Sequence, residues 1–421
     1  MTEKQTWWQQ GMKGMPRTVV ALGLVSFFTD MSSEMIYPLL PLFLSSVLGA
    51  GALSLGIIEG VAESTAALLK AVSGWWSDKV RRRKPLVFAG YSLSGAVRPL
   101  IGLAGAWPTV LLLRFGDRVG KGLRSAPRDA LIAGATDVSM RGRAYGFHRA
   151  MDHAGAVLGP LIAMALLSTG LLSMRGVFLA AAIPAVVVVA LILAGVKEPD
   201  GPAGDGLQGG PRPPFPGAPQ AAATVPRENP GAETGSRVTL DQLGPGYRKL
   251  LLAVLVFTLG NSTDAFLLLR LSDLGVDAGQ VAFIWAVHSL IRMGAAWVGG
   301  NLGDRLGHRT MILCGWVFYA LVYMAFTVAD HPSAAIGVFL LYGVYFGFTE
   351  PTEKALVASM VPARLHGTAF GFYHGAIGLA ALPASLLFGA VWKLVSVEAA
   401  FAVGAGLALL AALLLLRVRG R

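Results

Sequence analysis

Charged residues and cysteine are both scarce in this chain. Of its 421 residues only 14% are charged, against roughly a quarter in soluble domains. Cys314 is the one cysteine, which excludes a disulfide framework and a cysteine metal cluster. A cleavable signal peptide is not expected, because the first apolar run is too long for one and no small-residue cleavage site follows it. The scarcity of charge favours an integral membrane protein instead.

Long apolar runs dominate the sequence. Hydrophobic residues make up 54% of it and recur in runs of about 20, enough to cross a hydrocarbon core about 30 Å thick. We therefore predict an all-α membrane protein with twelve transmembrane helices. The predicted helices lie near residues 18–44, 53–76, 85–107, 108–130, 144–168, 173–196, 248–272, 278–300, 309–330, 333–358, 367–392 and 397–417.

Two loops in corresponding positions of the chain share one pattern. Residues 74–83 and residues 300–309 both read G-x-x-x-D-[RK]-x-x-x-R, and both lie between apolar runs. Such a repeat indicates an internal duplication, and duplicated transporters place the working site where the repeats meet. We predict two pseudo-symmetric six-helix bundles, formed by residues 1–196 and 248–421.

The segment between the two bundles, residues 197–247, differs in composition from the rest of the chain. It is dense in proline, glycine and alanine, and it holds too few large apolar residues to form a core. We predict a flexible cytoplasmic linker. A regulatory docking segment is the alternative that such a composition leaves open.

The net charge of +11 is concentrated on one side of the predicted membrane. The basic residues of that side are Lys79, Arg81, Arg82, Arg83, Lys84, Arg141, Arg143, Arg305, Arg309, Arg417, Arg419 and Arg421. The opposite loops hold little beyond Arg175 and Lys393. This asymmetry follows the positive-inside rule, so both termini are expected in the cytoplasm and the protein in a bacterial-type inner (plasma) membrane. The excess charge sets orientation, and no nucleic-acid partner is expected.

The duplicated halves and the repeated loop resemble the major facilitator superfamily, whose motif A is that loop. The copy at 300–309 is close to the family pattern, whereas the copy at 74–83 has Arg81 where glycine is usual. The resemblance implies a secondary transporter that works by alternating access, acting as a monomer in the lipid bilayer on a small molecule or ion, with no enzymatic activity and no cofactor. A carboxylate at a helix end can pair with bases and with the dipole of a neighbouring helix, so we predict a gating latch at this loop. The alternative is that the bases serve only topology. The latch residues would be Asp78, Arg82, Asp304, Arg305 and Arg309.

Small residues in the fifth predicted helix form a second pattern. Gly146, Gly155, Gly159 and Pro160 fit G-x8-G-x3-G-P and resemble motif C of the antiporter branches. Ala163 and the following methionine replace the closing glycines of the family motif. Glycines permit close helix approach and proline bends a helix, so we predict a helix-packing role that seals one end of the cavity. Ordinary small-residue packing is the alternative.

Several charged residues are predicted to lie within the membrane, where they are costly and usually face a cavity or one another. Arg114, Arg118 and Lys121 share one face of the fourth helix, at about 100° per residue. Arg114 and Phe115 resemble the start of motif B, the arginine motif of antiporters. The predicted substrate-binding residues are Arg114, Arg118, Lys121, Arg149, Tyr37, Asn261, Asp264, Arg292 and Glu350. Structural ion pairs are the alternative for these residues.

Proton coupling requires a carboxylate that titrates near neutral pH. Asp30 and Glu34 share one face of the first helix, and we expect them to face Arg114 and Arg118. Glu63 and Asp152 are further proton-coupling candidates. A cavity with charges of both signs favours a proton-coupled antiporter that exports a small charged hydrophilic solute, an organic anion or a zwitterion.

Three other functions remain open from the sequence. A divalent-metal exporter would use His148, Asp152 and His153 with acids of the first helix, although the same spacing suits hydrogen bonds within a helix. A multidrug efflux pump would show a more aromatic cavity around one or two acids. A membrane sensor or enzyme is the most distant reading, because no nucleophile–base motif or cofactor loop supports it. No metal site is assigned.

Overall fold

The structure is a computed structural model and describes residues 15–79, 83–136, 141–197, 240–361 and 366–418. In these ranges the chain forms helices and connecting turns without any strand, and twelve long helical units follow one another along the chain. The predicted all-α class with twelve membrane helices is confirmed. Most of the predicted linker, residues 198–239, lies outside the described ranges.

We call α1–α6 the N-terminal half. Its units are α1 (Arg17–Glu34, continued by helical turns Tyr37–Leu39, Leu40–Leu42 and Phe43–Val47), α2 (Ala52–Lys79), α3 (Lys84–Val97, with a turn at Pro99–Leu103), α4 (Trp107–Gly134), α5 (Arg141–Ser168) and α6 (Met174–Ala180 and Ala182–Gly195).

We call α7–α12 the C-terminal half. Its units are α7 (Gly244–Gly260 and Ala265–Asp273), α8 (Ala278–Leu306), α9 (His308–Thr327), α10 (Pro332–Met360), α11 (His366–Leu394) and α12 (Val397–Leu416). The predicted boundaries agree with these bounds to within a few residues.

The first helix of each half is interrupted at corresponding places. In α1, Pro38 and Pro41 each lack the N–H that a helix interior needs, and the chain continues there as short helical turns. In α7 the helix stops at Gly260 and resumes at Ala265. The two breaks meet: the Tyr37 hydroxyl lies 3.3 Å from the Thr263 hydroxyl. Interrupted helices in paired positions are typical of transporter binding sites.

By length and composition, ten of the helical units in the described ranges can cross a membrane. The two long helices that fall short are α4 and α8. In α4 the reason is the charged stripe that includes Arg114, Arg118 and Lys121. Residues of both helices line an internal cavity. The protein is a multi-pass membrane protein.

Glycines of α5 allow it to lie close to α1. A Cβ atom placed on Gly159 would lie 2.5 Å from the carbonyl oxygen of Met31, and one on Gly155 would meet the carbonyl oxygen of Phe27 more closely still. Pro160 lies inside α5 directly after this contact. Gly146 is also in α5, but its surroundings are outside what the structure describes. The contact between α1 and α5 therefore tolerates no side chain at the two described glycines.

The halves meet where α2 packs on α11 and α5 on α8. Along the α2-facing stripe of α11, a Cβ on Gly389 would lie 2.9 Å from the Ala52 carbonyl oxygen, and one on Gly378 would lie 2.7 Å from the Ala67 Cβ. Further along that stripe, no described atom lies within 4 Å of a Cβ placed on Gly375 or Gly371. The two helices therefore diverge towards the end of the molecule where α1 begins and α12 ends, which we call the termini end.

Candidate functional site

A cavity of about 500 Å³ lies between the halves, with lining residues on α1, α2, α3 and α4 and on α7, α8, α10 and α11. This volume falls within the range of roughly 300–1,000 Å³ found for small-molecule sites. Because α2 and α11 are in contact at one end and apart at the other, the cavity opens towards the termini end.

The charged residues of the N-terminal half form one wall of the cavity, which we call the charged wall. Two buried ion pairs belong to it. Arg114 binds Glu59 through Nη2 at 2.7 and 2.8 Å, and the Glu59 side chain has no exposed surface. Arg98 donates to Asp117 at 2.8 Å and to the Thr29 carbonyl oxygen at 3.1 Å. Each charge in these pairs is satisfied by its partner, and removing one member would leave the other buried and unpaired. Arg98, Arg114 and Asp117 also line the cavity, so the substrate-binding role of Arg114 stays a prediction.

The pairing of Arg118 is more open. Its Nη2 lies 3.0 Å from Glu63 Oε1, yet the Glu63 side chain is 51% exposed, towards the cavity. Arg118 Nε is buried without a hydrogen-bond partner in the described part of the chain. This guanidinium therefore keeps bonding capacity beside the cavity.

The acids that bind Arg114 and Arg118 of α4 most closely lie on α2. Asp30 and Glu34 of α1 were expected to face Arg114 and Arg118, but the acids that bind these arginines are Glu59 and Glu63 of α2. The reason is packing: α4 lies extensively along α2 and touches α1 only slightly. Helix spacing places residues on a face, but it does not say which neighbour that face meets.

Asp30, Glu34 and Lys121 line the cavity without an ion pair. Within the described ranges none of the three has an oppositely charged atom within 4 Å. Lys121 nevertheless lies within electrostatic reach of both acids. Glu34 Oε2 accepts a hydrogen bond of 2.7 Å from Trp285 Nε1 of α8, so this carboxylate joins the two halves.

The opposite wall of the cavity is aromatic, which the sequence analysis did not anticipate. Five rings of the C-terminal half line it: Phe257, Trp285, Tyr342, Tyr345 and Phe346. Tyr342 and Tyr345 lie nearly parallel, with ring centroids 5.6 Å apart. The spacing i, i+3, i+4 of the three α10 rings was a usable signal, but aromatic residues at helical spacing are common in membrane bundles. The N-terminal half supplies most of the lining charges and the C-terminal half supplies most of the lining rings.

The remaining C-terminal residues of the predicted site lie on this wall or near it. Asp264 accepts a hydrogen bond of 2.8 Å from the Tyr342 hydroxyl, and Asn261 lines the cavity where α7 is interrupted. Arg292 lies over the Phe346 ring at 3.8 Å and reaches Glu350 at 3.5 Å. Glu350 is not a lining residue.

Two predicted site residues of α5 lie away from the cavity. Asp152 accepts a hydrogen bond from Ser26 and lies 3.6 Å from both His148 and Arg149. The Arg149 side chain is 61% exposed, and neither residue lines the cavity. In the described ranges no three His, Cys, Asp or Glu side chains are grouped so that they could hold a metal ion. His148 and Asp152 form a pair within one helix.

The structure describes only some residues of the predicted latch. Arg82 lies outside the described residues, and the side chains of Asp78 and Asp304 are not described although their backbones belong to α2 and α8. Arg305 is exposed. Arg309 Nη2 donates a hydrogen bond of 2.5 Å to the Leu416 carbonyl oxygen, which ties the start of α9 to the end of α12.

Two known proteins resemble the chain over nearly its whole length, and a third resembles about a quarter of it. An uncharacterised MFS-type transporter of Methanocaldococcus jannaschii is 30% identical over 408 residues, which cover 96% of this chain and 95% of that protein. The quinolone resistance protein NorA of Staphylococcus aureus is 26% identical over 102 residues, 24% of this chain and 26% of that protein. A crystal structure of a POT family transporter with a thioalcohol-conjugated peptide superposes with a TM-score of 0.75 at 12% identity, covering 97% of this chain and 98% of that one.

The repeated halves, the broken first helices and the central cavity agree with these similarities. The sequence profile of the Major Facilitator Superfamily matches residues 22–268 and 250–421. The chain therefore belongs to the major facilitator superfamily and is a transporter of that family.

Proposed function

We propose that this transporter is a proton-coupled antiporter that exports a small charged hydrophilic solute, an organic anion or a zwitterion. One observation carries the proposal: Lys121, Asp30 and Glu34 line the central cavity and have no ion-pair partner among the described residues, while Glu59, Glu63 and Asp117 are bound to arginines. Unpaired charges at membrane depth are costly and are retained where they bind a substrate or an ion.

The acids of the site fall into two groups by their partners. Glu59, Asp117 and Glu63 are bound to arginines, and protonating them would leave an arginine without its counter-charge. Glu34 and Asp264 instead accept hydrogen bonds from neutral groups, Trp285 and Tyr342. A carboxyl with neutral partners can take up and release a proton without stranding a buried cation. Among the acids of the N-terminal half that line the cavity, Glu34 meets this condition, and Asp30 has no ion pair in the described ranges. We assign proton coupling to these two acids, and we assign Glu63 to holding Arg118.

The bases indicate what the solute carries. Lys121 and the open side of Arg118 offer N–H donors to a carboxylate or a phosphate. A cationic group on the same solute would compete with protons for Asp30 and Glu34. Competition of two ligands for one site is negative coupling, which is what exchange in opposite directions requires. Of the two solute classes, a zwitterion fits best: its anionic group can bind the bases, and its cationic group can compete with protons for the acids.

Glu34 also connects the proton site to the conformational change. Described side-chain hydrogen bonds between the halves involve three positions of the N-terminal half: Glu34, Tyr37 and Ser64. Opening the cavity at the end opposite the termini must separate α1 from α7 and α8, and so must break the bond from Trp285 to Glu34. Protonation of Glu34 weakens this bond because a neutral carboxyl is a poorer acceptor than a carboxylate.

The proposal also includes the direction of transport and the orientation of the protein in the membrane. The termini end is the cytoplasmic side of the inner membrane, so the described state is open to the cytoplasm and ready to load a solute for export. The partial similarity to a quinolone resistance protein supports an efflux direction. The transporter works as a monomer of two halves, residues 1–196 and 248–421, joined by the linker 197–247, and motif A latches the cytoplasmic ends.

Flux measurements in vesicles test the proposal. Purified protein is reconstituted with a pH-sensitive dye inside, and amino acids, dicarboxylates or the cationic dye ethidium are added outside. We expect an amino acid or a dicarboxylate to drive protons out of the vesicle as it enters. Proton movement in the same direction as the solute would refute antiport, and a response to ethidium alone would favour the multidrug reading.

A further inference from the structure

Glu353 is a carboxylate of α10 that the proposed coupling scheme does not use. It lines the central cavity from the C-terminal half, on the side that opens towards the termini end. Helices α9, α10 and α11 converge on it. Trp316 Nε1 of α9 donates to Glu353 Oε1 at 3.3 Å, and the Tyr373 hydroxyl of α11 donates to Oε2 at 2.5 Å.

The two side chains that donate to Glu353 are buried. Trp316 has no exposed surface and Tyr373 is 4% exposed, so both donors are fixed by packing. Trp316 is itself stacked on Phe257, with ring centroids 4.6 Å apart. Each carboxyl oxygen thus has one neutral donor, and the cavity gives it access to water.

Counter-charge is missing from this arrangement. In the described ranges no Lys, Arg or His nitrogen lies within 4 Å of the Glu353 carboxylate. The charged and titratable side chains on the helices around it include Glu350, Lys354, Tyr342 and Tyr345 of α10, Tyr319 and Tyr323 of α9, Tyr373 and His374 of α11, and Arg292 of α8. Arg292 is already bound to Glu350, and Lys354 is exposed.

We propose that Glu353 is a second proton-binding site, located in the C-terminal half and separate from Asp30 and Glu34. Glu353 has the same kind of partners as Glu34: hydrogen bonds from neutral aromatic groups, access to the cavity and no ion pair. An anionic carboxylate accepts both bonds. A protonated one gives up acceptor strength at the oxygen that carries the proton, which loosens α10 from α9 or α11.

The inference rests on the proposed proton coupling, but its test does not depend on transport. Infrared difference spectra between acidic and alkaline pH are recorded on the purified full-length protein in lipid nanodiscs, where protonated carboxyl groups show a C=O stretch. We expect Glu353→Gln to remove one component of this band. Tyr373→Phe should shift the same component to higher frequency, because the carboxyl group loses one hydrogen bond.

Two matched variants identify the component. Glu350→Gln, which removes the arginine-bound acid one turn away, should leave it unchanged. Glu34→Gln should remove a different component, which keeps failure of the second site distinguishable from failure of the first. An unchanged band in Glu353→Gln would overturn the proposal. If that variant does not fold, Tyr373→Phe decides: a shifted component supports the second site and an unshifted band overturns it.

Discussion

At the scale of single residues, burial of the partner decides what an arginine of α4 does. Arg114 and Arg118 lie one turn apart, and each binds a glutamate of α2. Glu59 is wholly buried, whereas half of the Glu63 side chain is exposed. A charge that is left without its partner is costly when buried and cheap when water reaches it.

We therefore expect Arg114→Ala and Arg118→Ala to differ in kind. Arg114→Ala strands the Glu59 carboxylate and should lower the free energy of unfolding by about 3–5 kcal/mol, seen as a lower melting temperature and poor expression. Arg118→Ala should keep most of the stability and lose solute affinity. Melting curves and binding assays on both variants measure this.

A double variant provides the control. Adding Glu63→Gln to Arg118→Ala restores the charge balance of the pair but should not restore transport. If the double variant transports normally, Arg118 serves only to balance Glu63, and the solute is bound elsewhere.

At the scale of helices, the contact between α2 and α11 is expected to change as the cavity alternates between its two open states. They are in contact from Gly389 to Gly378 and apart at Gly375 and Gly371. Closing the cavity at the termini end must bring the free stretch of α11 onto α2. The two glycines that are open in this state are then expected to be contact positions in the other state.

Gly375→Leu should therefore block closure without disturbing the described state. We expect transport to fall at least tenfold while the melting temperature stays near the wild-type value, since each tenfold loss corresponds to about 1.4 kcal/mol of disfavoured closure. Gly378→Leu is the matched control, because a side chain there collides with Ala67 in the described state and should lower stability. Full transport by Gly375→Leu would show that α2 and α11 do not close there.

The helices and the charged face of α4 were predictable from the sequence, because apolar length and residue spacing are local properties. Partner choice was not predictable: Glu59 and Glu63, rather than Asp30 and Glu34, meet the arginines because α2 is the neighbour of α4. The aromatic wall was also missed, since Tyr342 and Tyr345 look like ordinary packing residues until the cavity is known. Tertiary neighbours decide both features.

At the scale of the whole molecule, the proposed export depends on the orientation of the protein in the membrane. The positive-inside pattern predicts that both termini and residues 197–247 lie in the cytoplasm. With Cys314 replaced by serine, a cysteine at Ala222 should react with a membrane-impermeant maleimide only after the cells are permeabilised. Labelling of intact cells would reverse the assignment, and the open end of the cavity would then face outwards.

The central claim is that Asp30 and Glu34 carry the coupled proton, and transport by the neutral variants Asp30→Asn and Glu34→Gln tests it most directly. A neutral isostere keeps hydrogen-bonding capacity but cannot cycle a proton. With an amino acid or dicarboxylate that the wild type transports, solute exchange across vesicles at equal pH should persist in these variants. Accumulation driven by a pH gradient should be lost. If both variants still accumulate solute in response to a pH gradient as the wild type does, Asp30 and Glu34 do not carry the coupled proton and the account is contradicted.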